Sequence, residues 1–370
     1  MQTYSYFQPE YVKNFKCDGQ ACRAHCCKRW RIEIDDKTFQ KYSRRTEIVE
    51  HIEKIDGKNF VRLDENLRCP FLTAENLCSI QKNLGEEFLS ETCATYPRRT
   101  WSFKNFYERA LTLTCPVVMA NVLFADEPMR FERVEVPEII HSNFDRITIS
   151  FSPVPVELWQ YIVKIQSAAI YILQKRELSI DGRLIVLGFF LDRLDEMIDN
   201  YSLEEIDKLT EIYASADFVE KYAPIFAQSF KFDAQEFIKI MSGVFETLQI
   251  NADAEDYLKF SDFRKNFVAE YSTVFENFLV NEFFMNQYPW KFQTSIPHNF
   301  GVFAAIYKML EITMMSTAIS KSNLTKNELA AQIRLFLNNI DHDNSYVNKI
   351  SEQLSGKNNT AVFIQSLLQG

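Results

Sequence analysis

With 370 residues, of which 46% are hydrophobic and 25% charged, the chain has the composition of a soluble globular protein and a length that favours two domains. Glycine is scarce, with 9 residues, and phenylalanine is abundant, with 32, so the composition predicts a mainly α fold with large side chains in its core. The net charge is −9, and it is unevenly distributed, with +3 up to residue 115 and −12 after it. The acidity of the larger part argues against nucleic acid as a partner, because phosphate binding requires a basic face.

The first stretch, MQTYSYFQPEYVKNF, lacks the charged-then-apolar pattern of a secretory signal peptide. No segment offers about 18 or more apolar residues without charges, so we expect no membrane span. The best candidate, VELWQYIVKIQSAAIYIL, is interrupted by polar residues and is predicted to be an amphipathic helix. These features predict a cytoplasmic protein, and the cytosol keeps thiols reduced.

The cysteines are confined to the part of the chain up to residue 115. They are spaced C-x4-C-x3-C-C, then C-x8-C, then two single residues. Clustered thiols in a reducing compartment favour a metal site over disulfides, and unconnected buried cysteines are the simplest alternative. All eight are candidate metal ligands: Cys17, Cys22, Cys26, Cys27, Cys69, Cys78, Cys93 and Cys115.

The identity of the metal stays open between iron and zinc. Structural zinc sites usually contain C-x2-C pairs, and this sequence has none. Thiolates suit both zinc and iron–sulfur clusters, and cysteine-only ligation with irregular spacing favours a [4Fe–4S] cluster. His25 and His51 are further candidate zinc ligands, although each is more typical of a surface or polar core histidine.

Several short elements are predicted around the cysteines. RIEID alternates and predicts a strand, and Asp35 or Asp36 is expected to cap a helix over KTFQKYSRRTEIVEHIEKI. NFVRLDENLRCPFL predicts a strand, a turn and a returning strand, while YERALTLTC predicts a strand before a helix at Pro116. Residues 1–150 are therefore predicted to form a small mixed α/β, Cys-rich, metal-binding module, in which the metal substitutes for missing core.

Residues 151–370 are predicted to form an all-helical domain that follows this module. Apolar residues recur there at helical spacing, and prolines between residues 137 and 155 mark the boundary. Ser202 with Glu205, and Thr325 with Glu328, have the spacing of capping boxes that start helices.

An aromatic stripe lies on a long helix predicted to end at Pro289. Such a stripe is far more typical of a hydrophobic core than of a cofactor contact. Asn277, Asn281 and Glu282 lie beside it and fit a solvated position equally well. The stripe consists of Phe260, Phe263, Phe267, Tyr271, Val274, Phe278 and Met285.

Four stretches carry a resemblance to a known family: FKCDGQACRAHCCKRWRIEID, LCSIQKNLGEEFLSETCATYPR, ERALTLTCPVVMANVLF and FENFLVNEFFMNQYPWKF. The cysteine spacing resembles that of Cys-rich zinc- or iron-chelating proteins, and the whole chain resembles the flagellin lysine-N-methylase family. Two positions depart from the family pattern. Arg29 stands where a glycine is usual, and Val117 stands where a glutamate is usual.

The resemblance implies an enzyme that methylates lysine side chains of flagellin with S-adenosylmethionine, and that carries a Cys-ligated iron–sulfur or zinc centre. The glycines never form the G-x-G of a Rossmann cofactor site, and a radical C-x3-C-x2-C motif would need a cysteine where Arg29 stands. Two other functions remain open from the residues. One is an iron–sulfur electron-transfer or oxidoreductase protein, and the other is a non-enzymatic, metal-stapled module that binds a partner protein.

Candidate site residues come from the stretches that carry the resemblance. Glu91, Tyr96 and Glu108 are the candidate catalytic residues, because the target lysine, with an ordinary pKa of about 10.4, must lose its proton before attack. The basic runs KRWR and RR flank the cysteines and either stabilise an anionic cluster or are solvated. The candidate cofactor-binding residues are Arg98, Arg99 and Trp30.

Overall fold

The computed structural model describes residues 3–18, 22, 25–28, 32–103, 106–137, 149–151, 153–200, 203–215, 234–247, 261–321, 324–342 and 344–355. The chain divides into two compact units. Unit 1 comprises Met1–Val122 and Met129–Ser152, and unit 2 comprises Leu123–Pro128 and Pro153–Gly370. Unit 1 is small and mixed, whereas unit 2 is helical, so the mainly α prediction with a mixed α/β region before an all-helical domain is confirmed.

Unit 1 contains two sheets. The larger has the strand order β7-β1-β6-β5-β8, with β1 parallel to β6 and antiparallel to β7. β5 and β6 form an antiparallel pair, which includes the strand predicted in YERALTLTC. The smaller sheet has the order β2-β4-β3, and β2 is the strand predicted in RIEID. The strands are β1 Thr3–Pro9, β2 Glu33–Ile34, β3 Ile52–Ile55, β4 Lys58–Val61, β5 Arg98–Ser102, β6 Tyr107–Leu111, β7 Phe131–Pro137 and β8 Ile149–Phe151.

The helices up to residue 123 are short. Each has only one to two turns, and together with the small sheet they pack several cysteines into a common core. Two further segments, His25–Cys27 and Glu86–Phe88, are 3-10 turns. The helices are α1 Tyr11–Asn14, α2 Asp36–Tyr42, α3 Thr46–Val49, α4 Ser79–Leu84, α5 Glu91–Thr95 and α6 Pro116–Leu123.

The prediction of one helix over residues 37–55 is wrong in its second half. α2 begins as expected, with the Asp35 carboxylate accepting a hydrogen bond from the Thr38 N–H at 2.9 Å, but it ends at Tyr42. The chain then forms the short α3 and the strand β3. The reason is the Asp56–Gly57 turn, in which both residues have positive φ, as a two-residue hairpin requires. This turn pairs β3 with β4.

The turn predicted near residue 64 is present, but the returning strand pairs elsewhere. The Asp64 carboxylate accepts hydrogen bonds from the N–H groups of Asn66 and Arg68. Arg68 then forms an antiparallel bridge with Lys28, and the Cys69 N–H donates to the Cys27 carbonyl at 2.8 Å. The segment after the turn therefore joins the part of the chain around Cys69 to the distant part around Cys27.

Unit 2 is built from amphipathic and buried helices. α8 packs against α7 and α13, and α13 packs in turn against α15. Its core is rich in phenylalanine, as the composition predicted. The helices are α7 Ile162–Leu173, α8 Ile180–Asp199, α9 Ile206–Tyr213, α10 Ala234–Thr247, α11 Ser261–Glu270, α12 Ser272–Met285, α13 Ile296–Lys321, α14 Lys326–His342 and α15 Asn344–Ser355.

One predicted capping box is confirmed. The Thr325 N–H donates to the Glu328 carboxylate at 3.0 Å, and the Glu328 N–H donates back to the Thr325 hydroxyl at 3.3 Å, at the start of α14. The other box lies partly outside the described residues, because Ser202 is not among them; its partner Glu205 directly precedes α9.

The aromatic stripe lies on two helices instead of one. α11 ends at Glu270 and α12 begins at Ser272, with Tyr271 between them, and the stripe from Phe267 to Met285 is buried core. Phe260 lies outside the described residues. Asn277, Asn281 and Glu282 are buried to 2% exposure or less, so a solvated position for them is wrong.

Within the described residues, α13 is the one helix that is long and apolar enough to cross a membrane. Of its apolar stretch, 78% is buried inside the protein. Since α13 also carries the buried charges of Lys308 and Glu311, it has the features of a core helix.

Candidate cysteine-rich site

Five cysteines from four segments of unit 1 are near neighbours. Cys69, Cys78, Cys93 and Cys27 share one hydrophobic core that is built on Ile32, Ile34 and Tyr42. Cys26 lies beside this core, with its Sγ atom 3.9 Å from that of Cys27. We call Cys26, Cys27, Cys69, Cys78 and Cys93 the five-cysteine group.

Local structure places each thiol of this group. Cys26 and Cys27 lie in a 3-10 turn, and Cys69 is held to Cys27 by the backbone hydrogen bond described above. Cys78 precedes α4 and forms an antiparallel bridge with Leu72. Cys93 lies in the first turn of α5, where its N–H donates to the Ser90 hydroxyl at 3.2 Å.

Burial and neighbouring thiols raise the pKa of several cysteines in the five-cysteine group. Burial, and then the charges of Cys78 and Cys26, raise the pKa of Cys93 to about 12, against the lowering effect of its hydrogen bond with Ser90. Burial also raises the pKa of Cys78. The hydrogen bond with Cys27, followed by burial, raises the pKa of Cys26 well above its ordinary value. Since thiolates are the metal-binding form, only a bound cation would make several of them stable together.

The other three cysteines are grouped by the charges of Cys22 and Cys17, which act on Cys115. Burial raises the pKa of Cys115 to about 11, and Cys22 and Cys17 are the thiols whose charges act on it. Cys17 is exposed, Cys22 is half-buried and Cys115 is buried. We call Cys17, Cys22 and Cys115 the three-cysteine group.

All eight cysteines are free thiols in the structure. Among the described residues, no three or more His, Cys, Asp or Glu side chains are already arranged to hold a metal ion. The donor chemistry of the five-cysteine group nevertheless suits a soft metal centre, because thiols from four separate segments converge there. His51 lies apart from this group, beside Glu50 and at the edge of the Phe71 ring.

The three candidate catalytic residues lie on or next to different elements of unit 1. The Tyr96 hydroxyl lies 3.2 Å from the Thr114 Oγ1 atom, which lies 3.0 Å from the Thr112 Oγ1 atom. Burial raises the pKa of Tyr96 well above its ordinary value, so its phenol is neutral. Glu91 lies in the first turn of α5, and its N–H donates to Asp35 at 2.9 Å. Glu108 is fully buried on β6.

The two candidate cofactor-binding arginines lie on opposite faces of the larger sheet. Arg98 and Arg99 are consecutive on β5, and side chains alternate along a strand. The Arg98 guanidinium lies 5.2 Å from the centroid of the Phe15 ring. Trp30 lies outside the described residues. Arg98 and Arg99 therefore cannot both contact one ligand from a single face of the sheet.

Sequence reasoning missed a buried charge network in unit 2. The Lys308 ammonium lies 2.6 Å from the Asp181 carboxylate and 3.2 Å from that of Glu311. Arg264 bonds to the same two carboxylates, at 2.6 Å to Asp181. The available signal was the Lys308–Glu311 pair inside an otherwise apolar helix, because charges at such positions are almost always paired.

A second group of ion pairs in the same unit joins one buried carboxylate to two arginines. Glu276 on α12 is 1% exposed and accepts hydrogen bonds from Arg176 at 2.9 Å and from Arg183 at 2.7 Å. Arg183 also donates to the carbonyls of Leu173 and Leu178. These contacts join α12 to α8 and to the end of α7.

Comparison with known proteins gives three relatives. The Lysine-N-methylases of Salmonella choleraesuis (strain SC-B67) and of Salmonella typhimurium are each 37% identical over 134 residues, which cover 33% of this chain and 33% of the relative. The Flagellar biosynthetic protein FliU of Salmonella muenchen is 34% identical over 136 residues, which cover 33% of this chain and 79% of FliU. The chain thus matches about a third of the length of the two methylases. No solved structure matches the chain.

The family model of the FliB lysine N-methylase C-terminal domain matches residues 166–364, which include most of unit 2. This match spans more than half of the chain. The separate alignment with FliU covers 79% of the length of FliU. The family resemblance given by the sequence is thereby confirmed, and the chain belongs to the FliB lysine N-methylase family.

Proposed function

We propose that this protein is a cytoplasmic methyltransferase that transfers methyl groups from S-adenosylmethionine to lysine side chains of flagellin. The observation that carries the proposal is the match of the FliB lysine N-methylase model to residues 166–364. The names of the relatives, Lysine-N-methylase and Flagellar biosynthetic protein, support a methyl-transfer reaction and a flagellar substrate. S-adenosylmethionine is the donor that such a reaction would use.

The five-cysteine group is our proposed site for an iron–sulfur centre, with zinc as the alternative. Its thiols converge from four segments of unit 1, and residues 1–150 would form the metal-binding domain. Such a centre would cross-link the loops around the cysteines and would hold the cofactor-binding residues in place. The thiols of this chain would contribute their negative charge, and the surrounding core would exclude water from them.

The residues around Tyr96 are the proposed place where the lysine amine is oriented. The neutral phenol of Tyr96, hydrogen-bonded in a row with the hydroxyls of Thr114 and Thr112, can donate to or accept from an amine without taking a charge. This row of hydroxyls would align the lone pair of the lysine nitrogen with the methyl group of the sulfonium. Glu108, a fully buried carboxylate, and Glu91 are further proposed positions for accepting the proton of the lysine ammonium.

The test is transfer of a labelled methyl group. Metal-replete protein, incubated with methyl-labelled S-adenosylmethionine and unmethylated flagellin, should label lysine side chains of flagellin. An exposed flagellin lysine should be preferred, because a buried one could not reach the site. Replacement of Tyr96 by Phe should slow transfer about tenfold to a hundredfold by removing one hydrogen-bonding group from the reacting centre.

Two results would favour a different function. A reversible one-electron redox change in protein that binds no S-adenosylmethionine would support the electron-transfer alternative. A folded, metal-replete protein without methyl transfer and without redox activity would support a non-enzymatic module that binds a partner protein. In either case Val117, where the family resemblance leads us to expect a glutamate, would be the first residue to exchange.

A further inference from the structure

Arg98 and Arg109 lie on the same face of the larger sheet of unit 1. Arg98 is opposite Leu111, and Arg109 is opposite Thr100, in the antiparallel β5–β6 pair. Residues directly opposite each other share a face, and alternate residues along a strand do so too. The two guanidinium groups are therefore diagonal neighbours, whereas Arg99 and Glu108 lie on the other face.

The surface around this arginine pair is aromatic. The Arg109 guanidinium lies 4.2 Å from the centroid of the Tyr6 ring, and its Nε donates to the Thr100 hydroxyl at 3.1 Å. The Tyr107 ring lies 5.3 Å from the Tyr6 ring and 5.5 Å from the Tyr4 ring. The rings of Tyr4 and Tyr107 are half-buried and offer a flat apolar surface beside the two cations.

The charges of the two arginines act on each other. Burial, and then the positive charge of Arg109, lowers the pKa of Arg98 to about 10, against the opposing effects of Cys17, Cys115 and Glu86. Two like charges held close together in a half-buried position favour an added anion. A guanidinium presents a planar fork of donors that matches a carboxylate with two parallel hydrogen bonds.

We propose that Arg98 and Arg109 together bind the carboxylate of an amino-acid-type ligand, with the rings of Tyr4 and Tyr107 beside the rest of that ligand. This inference rests on the proposed function, under which the ligand is S-adenosylmethionine. Its methionine carboxylate would lie on the arginine pair, and its purine would have the tyrosine rings as a stacking surface. Arg109 is the residue that this assignment adds, and it replaces Arg99 as the partner of Arg98.

The role of the carboxylate can be tested by calorimetry, which measures the affinity of the full-length, metal-replete protein for ligands with and without that group. We expect decarboxylated S-adenosylmethionine to bind about tenfold to a hundredfold more weakly than S-adenosylmethionine, because a bidentate charged hydrogen bond is lost. Arg109→Gln and Arg98→Gln should weaken binding of S-adenosylmethionine by a similar factor and remove the preference for it over the decarboxylated compound. Arg109→Lys, which keeps the charge but not the fork, should restore part of the preference.

Arg133→Gln is the matched control. Arg133 also lies over an aromatic ring of the same sheet, 5.7 Å from the centroid of Phe106, but it is opposite Phe7 and so lies on the other face. This variant should keep the full preference for the carboxylate. Circular dichroism and thermal unfolding, measured on every variant, would show that the fold is retained.

The outcomes separate this inference from the proposed function. If the wild-type protein binds S-adenosylmethionine but binds the decarboxylated compound equally well, the arginine assignment is overturned while methyl transfer stands. The same holds if folded Arg109→Gln or Arg109→Lys retains the wild-type preference. If the metal-replete wild-type protein binds no S-adenosylmethionine at all, both the proposed function and the assignment fall.

Discussion

Replacing Lys308 by methionine is expected to lower the free energy of unfolding of unit 2 by about 3–5 kcal/mol. The Lys308 ammonium is fully buried between the carboxylates of Asp181 and Glu311, at 2.6 and 3.2 Å. Methionine fills a similar volume but leaves the two acids with Arg264 alone as their cation in this network. Since a domain is stable by only about 5–15 kcal/mol, urea unfolding should show a large shift of the midpoint.

An exposed ion pair provides the control. Lys164 lies 2.8 Å from Asp207, and both side chains are about half exposed, at 56% and 44%. Lys164→Met should cost about 1 kcal/mol or less, because solvent screens such a pair. Combining Lys308→Met with Glu311→Gln should recover part of the lost stability, since the uncompensated charge is then removed. Equal losses for Lys308→Met and Lys164→Met would contradict the account of the network.

The same network predicts how stability depends on pH. Burial alone would raise the pKa of Glu311, but the charges of Lys308 and Arg264 outweigh it and lower the pKa from 4.5 to about 2. A carboxylate with a lowered pKa stabilises the folded state above its unfolded pKa and loses that effect as the pH falls towards the folded value. The stability difference between wild type and Glu311→Gln should therefore be full at pH 7 and shrink from about pH 4.5 downwards.

Replacing Cys93 by serine is expected to abolish binding of the proposed metal centre and to destabilise unit 1 by about 3 kcal/mol or more. Cys93 packs against the same core as Cys27, Cys69 and Cys78. Wild-type protein made without oxygen should be brown and contain iron and acid-labile sulfide, and Cys93→Ser should lose both together with thermal stability. Stoichiometric zinc without sulfide in the wild type would establish the alternative metal.

A serine substitution in the three-cysteine group is the matched control for Cys93→Ser. Cys17 is exposed and belongs to this group with Cys22 and Cys115. Cys17→Ser should keep the iron and the thermal stability of the wild type. If Cys17→Ser lost the metal as completely as Cys93→Ser, the division of the cysteines into two groups would be wrong.

Local signals predicted much of the fold. The strand at RIEID, the cap at Asp35, the strand before Pro116 and the capping box at Thr325 all depend on residues close in sequence. The hairpin at Asp56–Gly57 also has a local signal, but the helical spacing of the residues before it predicts a helix. Where two local patterns compete, the turn is decisive because few residues adopt positive φ.

The arrangement of the site depends on contacts that local patterns do not encode. The charge of Cys22 acts on Cys115 across almost a hundred residues of sequence, and the spacing of the cysteines gives no sign of this interaction. The network of Asp181, Arg264 and Lys308 likewise joins three helices whose order in space is set by tertiary packing. The separation of Arg98 from Arg99 could have been foreseen, since strand alternation alone requires it.

The most direct test of the central claim is the ratio of two products. Metal-replete protein, S-adenosylmethionine and unmethylated flagellin should yield N-methyl-lysine and S-adenosylhomocysteine one for one, because in a polar transfer each methyl group leaves one cofactor molecule. Folded, metal-replete protein that forms no N-methyl-lysine on any flagellin would contradict the claim of methyl transfer. N-methyl-lysine accompanied by 5′-deoxyadenosine instead of an equal amount of S-adenosylhomocysteine would contradict the polar mechanism.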